Sequence, residues 1–389
     1  TNIKLDVFNC LNVYLEGVTI SEKRNDDLHE DLLLEVVTLN RLKSSYNDIG
    51  YTIAYMIKQL TKLFKDPKNP NVAASQLLLN ATRCIPSNVM EQWSIVFGTI
   101  QKNFLNQSTP AEVRVNLLTA LRRLLRAQVL KAHVNITGDY KDILEIVETA
   151  ISHSYFKIAA EGFRLLSTFL RVLRPTLNEQ AVNYNTYVKS IVPTVINRLK
   201  ETDIDQEIKS AIISSVSVLI SYFGDAIDST SLSLIFQQLL VKLKSEVTRT
   251  QTLKALSNIP VTEIKLNITN DLVGLLSEIA AELCQLAQKQ DRILKLSSLE
   301  VLKIVIYLLK IKLPKEIQKD IVDVSSPYIR DDDFFLAQLA LEVIGKVIEI
   351  NPSSVIYKDT IQNCIKLTKS SLIQGNTTNR LSEVFELIG

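Results

Sequence analysis

The residue types that most often carry catalysis or bind metals are few in this sequence, and they do not cluster. The three histidines, His29, His133 and His153, have no cysteine or carboxylate at metal-ligand spacing, so we expect surface or loop positions for them. Each of the four cysteines lies within an apolar helical run, which predicts buried free thiols in a reducing compartment: Cys10, Cys84, Cys284 and Cys364. The sequence therefore predicts no metal site.

Two charged clusters invite a chemical interpretation. Asp331-Asp332-Asp333 could suggest a cation site, but three consecutive residues on a turn point in different directions, so we expect an acidic helix start instead. Arg122-Arg123-Leu124-Leu125-Arg126 could suggest phosphate contacts, but no aromatic residues interleave, so we expect a solvated or partner-facing helix. Neither a phosphate-binding glycine loop nor a Gly-x-Ser-x-Gly motif occurs. We therefore predict that the protein is not an enzyme and has no cofactor.

The composition predicts an all-α protein. Of the 389 residues, 46% are hydrophobic, only 10 are glycine and 10 are proline, and no strand-like alternation of any length occurs. The formal net charge is +2, which gives no electrostatic case for a nucleic-acid partner. No apolar run reaches the length of a membrane span, so we expect no membrane partner. The chain starts at Thr1 within an apparent helix, and we expect it to be a fragment or a processed product.

Residues 206 to 223 read as a helix of about five turns between a polar turn and Gly224. The spacing puts Ser210, Ser214, Ser217 and Ser221 on one line along this helix. Nearly every other side chain is apolar, so the helix must be covered on about three sides. A stacked array of helical pairs provides such cover, with one partner in the same repeat and a neighbour on each flank.

The same turn-and-helix unit recurs at intervals of about 40 to 50 residues, the period of HEAT and armadillo solenoids. We predict the second helix of each unit at Asn71 to Cys84, Ala111 to Ala127, Tyr155 to Arg174, Gln206 to Phe223, Glu246 to Asn258, Asp291 to Lys310, Asp333 to Ile350 and Asn376 to Leu387. A further helix is expected at Asn2 to Glu16, before a long inter-repeat loop at about 18–50. The predicted fold is all-α: one continuous HEAT-repeat α-solenoid over residues 1–389, with about eight to nine helical pairs.

Polar strips on the second helices are the candidate binding sites, because the second helices of a solenoid line its concave surface. The strips suggest a lining that is basic early, neutral in the middle and acidic late, at Gln338, Glu342 and Glu349, which would suit an elongated partner of complementary charge. On this hypothesis the serine line faces outward; the alternative is that each strip is an ordinary solvated face. The residues that we expect to contact a protein partner are Arg123, Arg126, Arg164, Arg171, Gln206, Ser210, Ser214, Ser217 and Ser221.

Several stretches carry more than a generic repeat pattern. Asn197-Arg198-Leu199-Lys200, followed by Asp203-Ile204-Asp205-Gln206-Glu207-Ile208-Lys209, resembles the cullin-associated, neddylation-dissociated protein family. So do Tyr155-Phe156-Lys157-Ile158, Val172-Leu173-Arg174-Pro175 and the run from Leu243 to Leu256. The resemblance covers the whole chain, is strongest from about Tyr155 to Leu256, and matches the middle of the family's much longer solenoid.

This resemblance implies a non-catalytic scaffold. Members of the family are HEAT-repeat proteins that wrap around a cullin–RING ubiquitin ligase core when the cullin lacks its ubiquitin-like modifier, and they exchange substrate receptors. The implied partners are a cullin, its RING subunit, and the N- and C-terminal portions of the same family protein. The chain would form the connecting arch of the solenoid, in the cytoplasm or the nucleus.

Two other functions stay open from the sequence. A transport-receptor-like solenoid would use its concave face for cargo or for a GTPase, but the turn from Asp203 to Lys209 suits the cullin-associated family instead. An accessory subunit of a kinase or phosphatase complex rests on fold analogy alone.

Overall fold

A computed structural model of the chain describes residues 49–64, 72–131, 134–174, 184–259, 266–330, 333–351 and 358–368, together with residue 382. Within these ranges the backbone forms α-helices and short 3-10 segments, and no strand. The prediction of an all-α protein is therefore confirmed. The predicted helix at Asn2 to Glu16, most of the predicted loop at 18–50, and all but residue 382 of the predicted helix at Asn376 to Leu387 lie outside the described residues.

The described helices alternate between the first and the second member of a helical pair, apart from the short helix Pro86–Met90. In chain order they are α1 (Ile49–Leu63), α2 (Val72–Cys84), α3 (Pro86–Met90), α4 (Trp93–Leu105), α5 (Ala111–Lys131), α6 (Tyr140–Ile151), α7 (Phe156–Leu173), α8 (Asn185–Lys200), α9 (Gln206–Phe223), α10 (Ser229–Lys244), α11 (Glu246–Ser257), α12 (Asn270–Ala287), α13 (Arg292–Leu309), α14 (Lys315–Ser325), α15 (Phe334–Ile350) and α16 (Lys358–Thr368).

The predicted second helices are confirmed wherever the structure describes them. The helix α9 has the predicted bounds, and α2, α7, α11, α13 and α15 begin and end within about one residue of the prediction. The predicted end of α5 at Ala127 is wrong, because the helix continues to Lys131. No glycine or proline interrupts the four added residues, so nothing in the local sequence ends the helix earlier.

Local sequence also explains where several helices begin. Asp228, Asp291 and Asp333 stand directly before α10, α13 and α15, and each carboxylate accepts a hydrogen bond from a backbone N–H of the first helical turn. These bonds are between 2.8 and 3.2 Å long. The predicted acidic helix start is thus confirmed at Asp333, while Asp331 and Asp332 lie outside the described residues.

Two compact units divide the chain. The first unit comprises Thr1–Glu179 and Asp203–Ala211, and the second comprises Gln180–Thr202 and Ile212–Gly389. The division passes through α9, whose first residues belong to the first unit. The prediction of one continuous solenoid over residues 1–389 stays a prediction.

Helices of the first unit pack as pairs that lie side by side. The first helices α4 and α6 pack on the second helices α5 and α7, and α2, α5 and α7 pack on one another in that order. Leu117 and Leu121 of α5, and Phe163 and Phe169 of α7, have no exposed surface. A second helix is therefore covered on three sides, as the apolar arc of its sequence requires.

The second unit repeats this arrangement. The pairs are α10 with α11, α12 with α13, and α14 with α15. The second helices α11, α13 and α15 pack on one another, and the first helices α8, α10, α12 and α14 do the same. Each repeat thus contacts its own partner helix and its neighbours in the stack, which is the packing of an α-solenoid.

Candidate partner-binding face

Polar side chains on the predicted strips join successive second helices to one another. In the first unit, the Asn116 side chain of α5 donates to Ser75 Oγ of α2 at 3.0 Å. Arg123 of α5 donates to the carbonyl oxygen of Leu79 in α2 at 2.8 Å. Asn116 and Ser75 are buried, so the bond between them satisfies groups that packing removes from water.

Four charged residues continue this line from α5 across α7 to the start of α9. Arg122 Nε donates to Glu161 Oε1 at 2.5 Å, and Arg164 Nη1 lies 3.2 Å from Glu161 Oε2. Arg164 Nη2 also donates to Glu207 Oε1 at 2.7 Å. Because Glu161 is only 4% exposed, its carboxylate depends on the two guanidinium groups for interactions that water no longer supplies.

The second unit has the same type of contact between α13 and α15. Lys303 Nζ donates to Glu342 Oε2 at 2.6 Å, and the Gln338 amide donates to Glu342 Oε1 at 3.3 Å. Arg292 donates twice to the Asp333 carboxylate, at 2.5 and 3.1 Å. This hydrogen bonding holds the pKa of Asp333 below its usual range.

The serine line of α9 departs most from the sequence prediction. Ser217 and Ser221 are each 5% exposed, and each hydroxyl donates to a backbone carbonyl at the C-terminal end of α11, at 2.6 Å for Ser217 and Ala255. Ser214 accepts a hydrogen bond from the Gln251 amide of α11 at 2.6 Å. The expectation that the line faces outward is therefore wrong for Ser217 and Ser221, because their small hydroxyls let α11 pack closely on α9.

The other predicted contact residues are more accessible. Gln206 is exposed, and Ser210, Arg126 and Arg171 are half-buried. The Arg164 side chain is 41% exposed even with its ion pairs. All five belong to the first unit, and their role in partner binding stays a prediction.

Local ion pairs compensate much of the charge along the strips. Glu349, part of the expected acidic end, is paired with Lys346 at 2.9 Å, as Glu342 is with Lys303. Neighbouring opposite charges largely cancel in the field that a distant partner experiences. The predicted change from a basic to an acidic lining stays a prediction. Any such gradient must come from charged side chains that are not part of these ion pairs.

The structure also corrects the position predicted for the cluster from Arg122 to Arg126. A solvated or partner-facing position is wrong for Arg122, whose side chain is 16% exposed and bound to Glu161. Arg123 is half-buried and its guanidinium donates to a backbone carbonyl of α2, and its role in partner binding stays a prediction. A sequence signal existed: Arg122 precedes Glu161 by 39 residues, and Lys303 precedes Glu342 by 39 residues. Opposite charges at an offset of one repeat indicate bonds between neighbouring repeats.

The described ranges contain no cluster of three or more histidine, cysteine, aspartate or glutamate side chains that could hold a metal ion. His153 Nδ1 accepts a hydrogen bond from the Tyr155 N–H at 2.9 Å, and its Nε2 lies 3.4 Å from Arg114 Nη1. Burial lowers the pKa of His153, and the charge of Arg114 lowers it further. His29 and His133 lie outside the described residues. Among the residues that the structure describes, no helix has both the length and the apolar character needed to cross a membrane.

Three of the four cysteines are buried free thiols, as predicted: Cys84, Cys284 and Cys364. Burial raises the pKa of Cys284 to about 12, with a further contribution from the charge of Asp320. Burial also raises the pKa of Cys364 to about 11. These two thiols stay protonated at neutral pH and are poor nucleophiles. Cys10 lies outside the described residues.

Comparison with known proteins finds that this chain is similar to one family. A family model described as "CAND1-like, TPR repeats" matches residues 87–216, which include α5, α7 and the turn from Asp203 to Lys209. Cullin-associated NEDD8-dissociated protein 1 of Drosophila melanogaster is 24% identical over 398 residues, and the match covers 100% of this chain. The chain is similar to the cullin-associated NEDD8-dissociated proteins.

Other cullin-associated NEDD8-dissociated proteins match over most of the chain. Protein 1 of Dictyostelium discoideum is 26% identical over 88% of the chain, and protein 2 of Mus musculus is 25% identical over 91%. The chain spans about 30% of the length of these relatives, with shares of 30%, 29% and 28%. The resemblance to this family is therefore confirmed.

Solved structures of α-solenoids share the fold of this chain. An engineered protein superposes with a TM-score of 0.61 at 16% identity, covering 86% of this chain and 79% of its own. The Kap95:Nup1 complex gives 0.59 at 12% identity, with 96% of this chain and 47% of that chain covered, and Kap121p gives 0.53 at 13% identity, with 89% and 38% covered. At these identities the likeness shows the fold alone, and it confirms the HEAT-repeat prediction.

Hydrogen bonds between second helices join residues 37 to 44 positions apart, which agrees with a HEAT period and exceeds the TPR period of about 34.

Proposed function

We propose that this chain is a non-catalytic section of a cullin-binding protein and that it forms the connecting arch of a solenoid around an unmodified cullin–RING ubiquitin ligase core. Its partners in this proposal are the cullin, the RING subunit, and the N- and C-terminal portions of the same family protein. Substrate-receptor exchange belongs to the whole assembly, to which the arch contributes the correct distance and orientation of the two ends.

The match along the whole chain to proteins named cullin-associated NEDD8-dissociated carries this proposal. The alignment with the Drosophila protein runs over 398 positions and covers all 389 residues of this chain, so that protein has no additional repeat of about 40 residues in this section. Each repeat of a solenoid adds a small rotation and translation. An arch that joins two binding ends therefore needs a fixed number of repeats, and the absence of an added repeat in the relative agrees with that role.

The use of polar side chains on the second helices also favours a scaffold. Glu161, Arg164 and Glu207 bind neighbouring helices instead of converging on a pocket. Such bonds set the spacing of successive helices, which determines the curvature of a stack of repeats. These charged residues thus hold the second helices in position, and the second helices form the proposed binding surface.

A chimeric protein tests the proposal. The section of the Drosophila relative that aligns with this chain is replaced by this chain, and binding of unmodified and NEDD8-modified cullin–RING complex is measured by biolayer interferometry. We expect the chimera to bind the unmodified complex within about tenfold of the intact relative, and the modified complex at least about tenfold more weakly.

The matched control carries an equally long section of the Kap95 solenoid at the same place. It has a similar fold and an unrelated sequence, so we expect it to lose the unmodified complex. A chimera that is folded by circular dichroism yet fails to bind, or that binds both forms of the complex equally, contradicts the proposal. Equal binding by the Kap95 control would show that any solenoid section suffices.

Within this proposal, the accessible polar residues of the first unit contact the partner: Arg126, Arg164, Arg171, Gln206 and Ser210. Their exposure supports this choice, and burial removes Ser217 and Ser221 from it. The test is the double substitution Arg171→Glu and Gln206→Glu in the chimera. We expect at least about fivefold weaker binding, because like charges then face one another at the interface.

The control for this substitution changes Lys141→Glu and Lys189→Glu, two exposed lysines on first helices. Equal weakening by both double variants would assign the effect to net charge and would contradict the proposed contact face.

We also propose that the protein acts in the cytoplasm or the nucleus. Three buried free thiols without a disulfide support a reducing compartment. Imaging of the tagged protein in cells tests this location, and a secreted product would contradict it. The transport-receptor alternative has only the shared fold in its favour, at 12% and 13% identity.

A further inference from the structure

A groove lies between α1 and α4 in the first unit, and the described residues that line it include three lysines and no acidic residue. Its volume is about 540 Å³. Both helices belong to the first unit, where they pack on each other. The groove lies outside the second-helix face described above, because α1 and α4 are first helices.

Helical spacing directs two sets of side chains into this groove. Tyr55, Lys58 and Lys62 occupy one face of α1, because successive members are three and four positions apart. Ile95 and Lys102 occupy the facing side of α4. Tyr55 is 44% exposed and Ile95 is 39% exposed, so each presents apolar surface beside the lysines.

The lysine charges are not compensated within the described part of the chain. Lys62 Nζ has a weak contact with Gln59 Oε1 at 3.5 Å, and Lys58 and Lys102 form no ion pair among the described residues. By contrast, Lys303 and Lys346 on second helices are each paired with a glutamate. Like charges around a concave surface focus a positive potential, which attracts an anionic ligand.

Gly98 leaves the centre of this groove open. A Cβ atom built at this helical position would meet nothing within 4 Å. Glycine inside a helix is less stable than alanine, and no atom of the described structure requires a glycine here. Gly274 of α12 is equally open, so an open glycine by itself does not mark a site. Gly98 differs because it lies among the three lysines, where its bare backbone leaves room for an incoming side chain.

We propose that the α1–α4 groove binds a short acidic segment of a partner protein. One large apolar side chain of the segment lies over Gly98, between Tyr55 and Ile95, and its carboxylates pair with the surrounding lysines. The faces from Tyr55 to Lys62 and from Ile95 to Lys102 each extend about 10 Å, which accommodates roughly two turns of helix. Apolar contact supplies affinity and the charges fix the orientation of the segment. This inference does not depend on cullin binding.

The test uses the full chain and a fluorescein-labelled peptide of about 12 residues, roughly three helical turns, with glutamates on one face and leucines and a tryptophan on the other. Fluorescence anisotropy measures its affinity. The triple variant Lys58→Glu, Lys62→Glu and Lys102→Glu is expected to bind at least about tenfold more weakly, because repulsion replaces attraction. No binding of this peptide to the unsubstituted chain overturns the proposal.

A matched control separates the groove from net charge. Exposed lysines elsewhere are changed in the same way, Lys141→Glu, Lys189→Glu and Lys254→Glu, and we expect binding within about twofold of the unsubstituted chain. Equal weakening by the two triple variants overturns the proposal. Equal binding of a peptide in which lysines replace the glutamates does the same, because the occupant is then not selected for acidity.

The proposed position of the apolar side chain over Gly98 is tested by Gly98→Leu, with Gly274→Leu as the matched control. A Cβ atom at either position would meet nothing within 4 Å, so circular dichroism should show unchanged helix content. We expect Gly98→Leu to weaken peptide binding at least about fivefold and Gly274→Leu to leave it unchanged. A Gly98→Leu variant with unchanged affinity overturns the proposed position of the segment.

A last variant separates a partner segment from the chain's own acidic stretch. Residues 26 to 35 contain Asp26, Asp27, Glu30, Asp31 and Glu35, which are replaced together by asparagine or glutamine. We expect the affinity for the peptide to stay within about twofold. A gain of about fivefold or more would show that this stretch competes for the groove, and it would overturn the assignment to a partner protein.

Discussion

Arg122 and Glu161 are 39 residues apart in the sequence, yet Arg122 Nε donates to Glu161 Oε1 at 2.5 Å. Their side chains are 16% and 5% exposed, and they join α5 to α7. A carboxylate and a guanidinium at such depth stabilise the fold only as a pair, because either charge alone is costly without water. The pair therefore makes the packing of two neighbouring repeats sensitive to one side chain.

We predict that Glu161→Ala destabilises the first unit by about 3 kcal/mol, because it leaves the Arg122 guanidinium, whose side chain is only 16% exposed, without its partner. Trp93 is the only tryptophan of the chain and lies in α4 of the same unit. It is 4% exposed and stacks on Phe97. Urea unfolding followed by its fluorescence measures the loss.

Glu207→Ala is the control for this prediction. The Glu207 side chain is 39% exposed and pairs with Arg164, which is 41% exposed. Water screens this pair, so we expect a loss below about 1 kcal/mol. Equal losses for Glu161→Ala and Glu207→Ala would contradict the distinction between a buried and a screened ion pair.

A second prediction concerns the serine line. Ser217→Lys places a long charged side chain where the hydroxyl donates to Ala255 O at 2.6 Å, in a position that is 5% exposed. We expect a loss of several kcal/mol, on the order of 3 to 5, because the substitution overpacks the α9–α11 contact and buries a charge. Thermal unfolding followed by circular dichroism measures it. Ser210→Lys, at a half-buried position on the same line, should lower the melting temperature much less, and equal shifts would restore the outward-facing hypothesis.

A third prediction uses two glycines with opposite surroundings. A Cβ at Gly162 would lie 2.7 Å from Ala150 Cβ and 3.0 Å from backbone atoms of Ala150 and Ile151. Gly162→Ala should therefore destabilise the first unit by about 1 to 3 kcal/mol, because α6 has to move away from α7. Gly98→Ala meets nothing within 4 Å and should stabilise it by about 0.5 to 1 kcal/mol through helix propensity. Trp93 fluorescence in urea reports both, and effects of the same sign would contradict the packing at Gly162.

A fourth prediction concerns the pH dependence of stability. Burial and then Arg114 lower the pKa of His153 from its usual 6.5, so the unfolded chain takes up this proton at a higher pH than the native chain. The contribution of His153 to the free energy of unfolding is therefore fully present above pH 6.5 and decreases as the pH falls toward the native-state pKa. His153→Gln should flatten this part of the stability profile, measured by urea unfolding at a series of pH values. His133→Gln serves as control, and a profile unchanged by His153→Gln would be the contrary result.

Helix positions were predictable because they depend on residues close in sequence. The apolar arc and the polar turn before Gln206 determine where α9 begins, and Gly224 follows its last residue. The run of three aspartates that ends at Asp333 likewise predicted an acidic start for α15, where Asp333 caps the helix. The end of α5 was wrong because no local stop signal marks it. The resemblance to the family was also visible in short stretches, since the turn from Asp203 to Lys209 lies within the matched range.

The sequence by itself determined that this protein is a helical-repeat chain and that it resembles the cullin-associated family, because period, turns and apolar arcs are local properties of the chain. Only the tertiary structure decided which way the polar strips face. Arg122, Ser217 and Lys303 find their partners 39, 38 and 39 residues away, and no local pattern shows whether a polar side chain faces a neighbouring repeat or the solvent. That choice depends on how closely successive second helices pack, and their packing buries residues that a single helix would expose.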